Sequence, residues 1–447
     1  MVDTFVTHYF RHMNNLVKSI LILFIPAWVN AQTTPLTLRE ALDAAQEQNR
    51  SIKLSQLDAE ASRAKVRQTQ AVFLPQINLS YTAMSTNNPL NAFGFKLQQQ
   101  AITAADFNPD LLNDPSATQN FMTKAELLQP IFNMDMFYQR EAAGNQAEAF
   151  QLKHARTKQY IAFEVEKSYA QLQLAHQAEA VMEEAVNTAK AVSAAAQNRF
   201  DQGYLQKSDV LQVTVFVANM ESKFDEAKSN VKNASDYLSL LMGVQPGAVY
   251  LTDTLSQQLP LISNATLPEN RADIAAMAAV VAAHNSVVKS STMAYVPKLN
   301  AFGEYMFNDS DAFGFGSNAY MIGAQLSWKI FNGTATKNKI ATARIERDKA
   351  SQELYYQKEQ AQLELDKTIR QERDALNLVN QQALTTAHAR EAFRLMQNRD
   401  EQGLVTTTEL LQAQTNVAQQ KLGWAQAIFQ LTVTRAYLNF LTATTNP

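Results

Sequence analysis

Two stretches of the chain alternate apolar and polar residues with period two, and each then gives way to a very long run of helical period. In the first, Ile77, Leu79, Tyr81 and Ala83 alternate with Gln76, Asn78, Ser80 and Thr82, and a return stretch sets Phe121, Ala125 and Leu127 against Lys124 and Glu126. In the second, Leu299, Ala301, Gly303, Tyr305 and Phe307 alternate with polar or larger neighbours, followed by Tyr320, Ile322, Ala324, Leu326, Trp328 and Ile330. Period two with one apolar side predicts strands with one dry and one wet face. The expected strands are 75–84, 119–130, 297–308 and 319–331, each about 9–12 residues and so long enough to cross a bilayer when tilted.

Between and after them the period is helical. Segments 37–72 (interrupted at Asn49), 133–200, 208–242, 269–294, 332–400 and 407–443 are expected as helices, with 243–268, which holds Pro246, Pro260 and Pro268, as a linker. From Asn133 to Asn198 there is no Pro and only Gly144, while Ile161, Val165, Tyr169 and Leu172 step by three and four. At ~1.5 Å per residue such a helix is about 100 Å long. A rod of that length must be buried against others, because propensity alone holds it weakly.

The chain repeats itself. Ile131-Phe132-Asn133 returns as Ile330-Phe331-Asn332; Phe73-Leu74-Pro75 is answered by Tyr295-Val296-Pro297; Ala92-Phe93-Gly94-Phe95 is answered by Ala312-Phe313-Gly314-Phe315. Asn198-Arg199, Gln202-Gly203 and Asp209-Val210-Leu211-Gln212 return as Asn398-Arg399, Gln402-Gly403 and Glu409-Leu410-Leu411-Gln412, about 200 residues on. The first copy carries roughly 20 extra residues between Phe95 and Phe121, an expected external, mobile loop from Lys96 to Thr118. The organisation is therefore a repeat over 32–242, the linker, and a second repeat over 269–447.

Composition supports helix over loop: Gly and Pro number only 12 each. The apolar run Ser19 to Trp28, after Lys18 and ending in Val29-Asn30-Ala31, predicts a signal peptide over 1–31. The formal net charge is −3 and stays mildly acidic without that segment, so nucleic acid is not an expected partner. There is no Cys, hence neither a disulfide nor a thiol nucleophile. His154, His176, His284 and His388 lie apart without metal-ligand spacing, and no phosphate loop occurs. The Asn308-Asp309-Ser310-Asp311 stretch lacks the spacing of a calcium loop. No enzymatic site, cofactor or metal is expected.

No segment after the N-terminal run is apolar for long enough to span as a helix, so an exported chain of this kind enters a membrane only as strands. Four strands make an open sheet, and each lipid-exposed edge would leave about ten backbone groups unpaired. That penalty reaches tens of kcal/mol, against a folding stability of roughly 5–15 kcal/mol. Closure by further copies is required; two copies give eight strands with a filled interior, and three give twelve and leave an opening, which favours a trimer if solute passes through.

Taken together, these residues resemble the TolC-like outer-membrane efflux protein family over the whole mature chain, from Leu36-Thr37-Leu38-Arg39-Glu40-Ala41-Leu42 to the last helix. The resemblance implies a mainly α fold with a β-barrel portion. It implies a homotrimer closing as a twelve-stranded barrel in outer-membrane lipid, with an α-helical tunnel in the periplasm. It also implies an exit duct that docks onto a periplasmic adaptor (membrane fusion) protein, linked to an inner-membrane pump or to the ABC transporter of a type I secretion system.

By position, Gly203, Tyr204, Gly403 and Leu404 are the expected adaptor-docking tip. Asp209, Glu409, Gln212 and Gln412 are expected at the aperture, where six carboxylates in three copies would favour cations. Some relatives place a carboxylate or Arg near the latter positions; this chain has Gln212, Gln412 and Val405 there. Simpler roles are open for the same residues: helix C-caps for the two Gly, favourable N-terminal charges for Asp209 and Glu409, and C-terminal helix charges or tip salt bridges for Arg199 and Arg399. Tyr81, Tyr305, Tyr320 and Trp328 are expected membrane-interface aromatics. The alternative from another class, a periplasmic coiled-coil scaffold or stalk, predicts no strands with a dry outward face.

Overall fold

The computed structural model describes residues 33–255 and 265–444; the expected signal peptide and part of the linker lie outside these. Two short strands, β1 (Thr33–Pro35) and β4 (Val249–Leu251), pair in parallel. The other four, β2 (Gln76–Thr86), β3 (Thr118–Phe132), β5 (Lys298–Asp309) and β6 (Ser317–Ser327), form an antiparallel sheet in the order β2-β3-β5-β6. The helices are α1 (Leu38–Gln48), α2 (Arg50–Gln68), α3 (Pro89–Gln98), α4 (Pro109–Asn113), α5 (Met134–Asp201), α6 (Lys207–Met242), α7 (Ala272–Met293), α8 (Ala335–Glu401) and α9 (Thr407–Thr442).

The two long helices, α5 with 68 residues and α8 with 67, are the struts of the molecule. On the sheet side α2 packs on α5, and α7 lies between α5 and α8; on the far side α6 packs on α5, and α9 lies between α5 and α8. Each strut thus serves two successive helix layers. Many of their buried positions are Ala, among them Ala149, Ala170, Ala189, Ala350 and Ala361, which lets the helix backbones approach closely.

The layers meet in a core of Ile52, Val165, Leu172, Leu238 and Tyr250. The stretch 37–72, expected as helix interrupted at Asn49, forms α1 and α2 and closes with a 3-10 turn at Thr69–Val72. Asn49 makes the break: its side-chain oxygen accepts from the Ser51 and Ile52 amides at 2.8 and 3.1 Å, and its Nδ2 donates to the Leu241 carbonyl at 2.7 Å. An Asn preferring to cap is here rewarded by a buried tertiary bond. The segment expected as linker contains β4, and Tyr169 Oη ties this region together by donating to Asp253 Oδ1 at 2.7 Å, with the Leu36 carbonyl at 2.9 Å.

Strand pairing sets Tyr81 opposite Thr123, Thr123 opposite Phe307, Leu79 opposite Ala125, Ala125 opposite Tyr305, and Tyr305 opposite Tyr320. These share one face with Ile77, Leu127, Ile322 and Leu326, and that face is bare: Ile77 is 77% and Ile322 78% exposed. The other face carries the charges Lys124, Glu126, Glu304 and Lys298, with Lys124 Nζ 3.1 Å from Glu304 Oε1 and Lys298 Nζ 2.5 Å from Asp135 Oδ2. A dry outward face of this kind speaks against the soluble scaffold.

Strand β6 stops at Ser327, short of the expected 331, because its partner β5 begins at Lys298 and the preceding Pro297 has no amide to continue the ladder. Trp328 instead donates its indole N–H to the Tyr295 carbonyl at 2.9 Å. Likewise α8 starts only at Ala335, since Gly333 and Thr334 have φ of 64° and 70°.

Gly243 ends α6 with φ 78°, and a Cβ there would lie 2.4 Å from the Gln48 carbonyl oxygen. Gly243→Ala should therefore lower stability by about 1–3 kcal/mol from backbone strain, before the clash is counted. Gly144→Ala, in open space within α5, should gain about 0.5–1 kcal/mol. Thermal unfolding of the two variants in detergent checks the opposite signs.

Candidate functional site at the helical tip and the strand belt

Farthest from the sheet, α5 turns into α6 and α8 turns into α9 by the same device. The Gly203 amide donates to the Phe200 carbonyl at 2.8 Å and the Tyr204 amide to that of Arg199 at 2.8 Å; Gly403 and Leu404 donate to Asp400 and Arg399, both at 2.9 Å. This pair of bonds closes a helix C-terminus around a left-handed residue, and φ is 82° at Gly203 and 71° at Gly403. The residue after each Gly is thrown outward: Tyr204 is 79% and Leu404 62% exposed.

Each returning helix is capped by the carboxylate at its third position. Glu409 Oε2 accepts from the Thr406 amide at 2.8 Å, while Thr406 Oγ1 accepts from the Glu409 amide at 3.3 Å. Asp209 Oδ2 accepts from the Gln206 amide at 3.2 Å. The amide and hydroxyl of Thr406 hold the Glu409 carboxyl below the ordinary glutamate range, with a smaller contribution from Arg399, so it is ionised at neutral pH. Both carboxylates thus have a capping role in the single chain.

The two turns are also braced to each other. Arg199 Nη1 and Nη2 reach the two carboxylate oxygens of Asp400, both at 3.0 Å, and Nη2 also reaches the Asp400 carbonyl at 3.1 Å. Asp400 raises the Arg199 pKa through this contact. Thr408 Oγ1 donates to Gln212 Oε1 at 3.3 Å. Behind these bonds lie Ala196, Val213 and Leu411. Arg399 and Gln412 are exposed, and Arg399 is in no ion pair among the described residues.

The structure therefore brings Gly203, Tyr204, Gly403, Leu404, Asp209, Glu409 and Gln212 to one end and separates Arg199 from Arg399 in role. Sequence reasoning missed Asp400 and Thr408. Asp400 had a visible signal: the first copy has Phe200 at the matching place.

At the other end of the molecule the aromatics gather at the limits of the apolar sheet face. Tyr81 stacks on Phe313 with centroids 5.0 Å apart, and Phe307 lies 5.3 Å from Phe315 and 5.1 Å from Tyr305. Trp328 stands exposed just beyond the opposite end, and Ile77, Leu79, Leu127, Ile322 and Leu326 fill the band between. Tyr305 and Tyr320 face each other one step inside the aromatic end. An apolar band between aromatic rows is the pattern of a strand surface in lipid. Among the described residues no helix is long and apolar enough to cross a membrane and no cluster could hold a metal.

Comparison with known proteins agrees with this arrangement. A membrane protein from Pseudomonas aeruginosa has the same fold with a TM-score of 0.78 at 18% identity, covering 91% of this chain and 92% of that one. The Campylobacter jejuni CmeC outer membrane channel superposes with a TM-score of 0.76 at 16% identity (91% and 85% covered). The Vibrio cholerae outer membrane protein VceC gives 0.76 at 15% identity (92% and 97% covered). No curated protein matches in sequence. The outer membrane efflux protein family matches over residues 41–244 and 263–444. The chain belongs to that family: it is an outer-membrane efflux protein, a channel component rather than an enzyme.

Proposed function

We propose that the chain works as a homotrimer whose twelve strands close into one barrel, and that the trimer is the passive exit duct of a tripartite efflux pump or a type I secretion system. The observation that carries this reading is the pair of edges, β2 and β6, each without an outer strand partner among the described residues and flanking a bare apolar sheet face. In lipid these edges are stable only when β2 of one copy pairs with β6 of the next. Mass measurement of the detergent-solubilised protein should give three chains; a stable, folded monomer would contradict the reading.

The protruding Tyr204 and Leu404 at the glycine turns form the surface for a periplasmic adaptor, and the inner-membrane transporter behind it supplies the energy. The turns carry Asp209 and Glu409 with Gln212 and Gln412, which in three copies ring the narrowed inner end. Combined Asp209→Asn and Glu409→Gln should reduce cation-over-anion permeability severalfold in planar bilayers, and unchanged selectivity would remove the constriction role. The Glu409 share of that preference should persist to pH values below the ordinary glutamate range, because its depressed pKa keeps the charged form as pH falls.

Arg199 and Asp400 tie one helical hairpin to the other and so hold the tip in its resting arrangement. Arg199→Ala and Asp400→Ala should each raise resting conductance severalfold. The double variant should go no further than either single one, as expected when both substitutions remove one shared contact.

A further inference from the structure

The insertion that distinguishes the first copy from the second, expected as a loop, carries helical elements and folds as a cap. Helix α3 begins at Pro89 with Asn88 accepting from the Asn91 amide at 3.2 Å, a 3-10 turn follows at Ala104–Phe107, and α4 ends the segment. Lys96 Nζ lies 2.6 Å from Asp106 Oδ1, and the Thr103 amide donates to Asp106 Oδ2 at 2.7 Å; with Lys96 as the leading cause, the Asp106 carboxyl is held down to about 2. Phe93 packs edge-on against Phe107 at 5.7 Å over buried Ala92.

The cap is fastened to one particular face of the sheet. Gln99 Nε2 donates to Asn120 Oδ1 at 3.1 Å, Asn120 Nδ2 donates to Asn308 Oδ1 at 3.0 Å, and Ser317 Oγ lies 2.5 Å from the Gln98 carbonyl. Asn120 and Asn308 are 0% and 1% exposed. In the strand register Met84 faces Asn120, Met122 faces Asn308, and Asn308 faces Ser317. All lie on the side that carries Lys124, Glu126 and Glu304, opposite the apolar face. The turn of the second hairpin goes the other way, with Phe313 stacked on Tyr81 over the apolar face. One hairpin loop thus serves the lipid side and the other the wet side.

On the wet side the cap nevertheless displays Leu90, Leu97, Phe107 and Leu111, all more than half exposed. Lipid does not reach that face, and an apolar cluster left in water on so small an element costs free energy. Around a symmetry axis on the wet side, the same cluster of the next copy is the surface that continues the ring interface already required at β2 and β6. We propose that three caps meet over the outer mouth through Leu97, Phe107, Leu90 and Leu111, forming a second constriction at the end opposite the helical tip. This rests on the trimeric reading above.

The chain has no Cys, so single introduced thiols report cleanly. Leu97→Cys and Phe107→Cys should each give cross-linked chains with a short bis-maleimide in intact outer membranes. Control pairs scan the barrel seam: Leu79→Cys with Tyr320→Cys, Ile322→Cys or Ala324→Cys. Seam cross-links without cap cross-links would overturn the cap proposal and leave the trimer standing; loss of both would overturn the trimer itself, and the cap proposal with it.

The narrowing has its own readout. With Thr82→Cys on the wet face, labelling from outside the cell by a polymer-borne maleimide relative to a small one should rise at least tenfold when Leu97 and Phe107 are replaced by Glu. An unchanged ratio would mean that the caps do not narrow the mouth.

Discussion

Backbone hydrogen bonding at the two sheet edges is the constraint on which the remaining architecture depends. Strands β2 and β6 are each 11 residues long and each present one unpaired flank. Water would satisfy those groups; a hydrocarbon layer does not. The exposed apolar face fits the second environment, and there the proposed partner of each edge is another copy of the same sheet. Pairing β2 to β6 is a heterologous contact, and repetition of such a contact closes into a ring or runs on as a filament.

The helical part obeys the same lateral order. Beyond the sheet the helices follow as α2-α5-α7-α8, and towards the tip as α6-α5-α9-α8. The flank continuous with β2 is therefore α2 and then α6, and the flank continuous with β6 is α8. Both flanks carry exposed apolar residues: Leu54, Leu57, Leu211, Val215 and Leu240 on one, and Ile345, Tyr355, Leu363, Leu378 and Leu384 on the other. In the proposed ring, first-repeat elements would meet second-repeat elements of the next copy along the full length. In a ring built this way the internal duplication makes the contacts within one chain resemble those between chains, so three chains form a nearly sixfold wall.

The periodic features of this fold were legible in the sequence because a single local rule generates each of them. Alternation located the sheet faces, steps of three and four located α5, its repetition located α8, and the Gln-Gly turns marked where α6 and α9 run back. What escaped is set by contacts between distant segments. Nothing near Pro297 announces that β6 must end at Ser327, since the loss falls on the partner strand. Asn49 was visible as a break, whereas its bond to the Leu241 carbonyl was not. At the tip the four turn residues were found by repetition, and that same reliance on repetition concealed Asp400, whose counterpart is Phe200. The insertion read as a loop because Gln98, Gln99, Asn120, Asn308 and Ser317 are unremarkable polar residues until the register brings them together.

These misses share a physical origin. Duplication supplies a wall in which equivalent positions do equivalent work: the glycine turns, the capping carboxylates and the apolar strand faces all occur twice. A property that belongs to one end of the duct in particular must come from a place where the copies differ. The brace between the hairpins requires Arg199 from the first copy and Asp400 from the second, and neither Arg399 nor Phe200 reproduces it. At the opposite end, only the first copy has the extra segment that folds as a cap, and the buried Asn120–Asn308 bond seats it across the boundary between the repeats. Each asymmetric element thus bridges the two halves at an end of the molecule, where a contact between halves limits how far they can separate. In the proposed trimer the symmetric parts would build the passage, and the residues that break the repeat would set its two apertures.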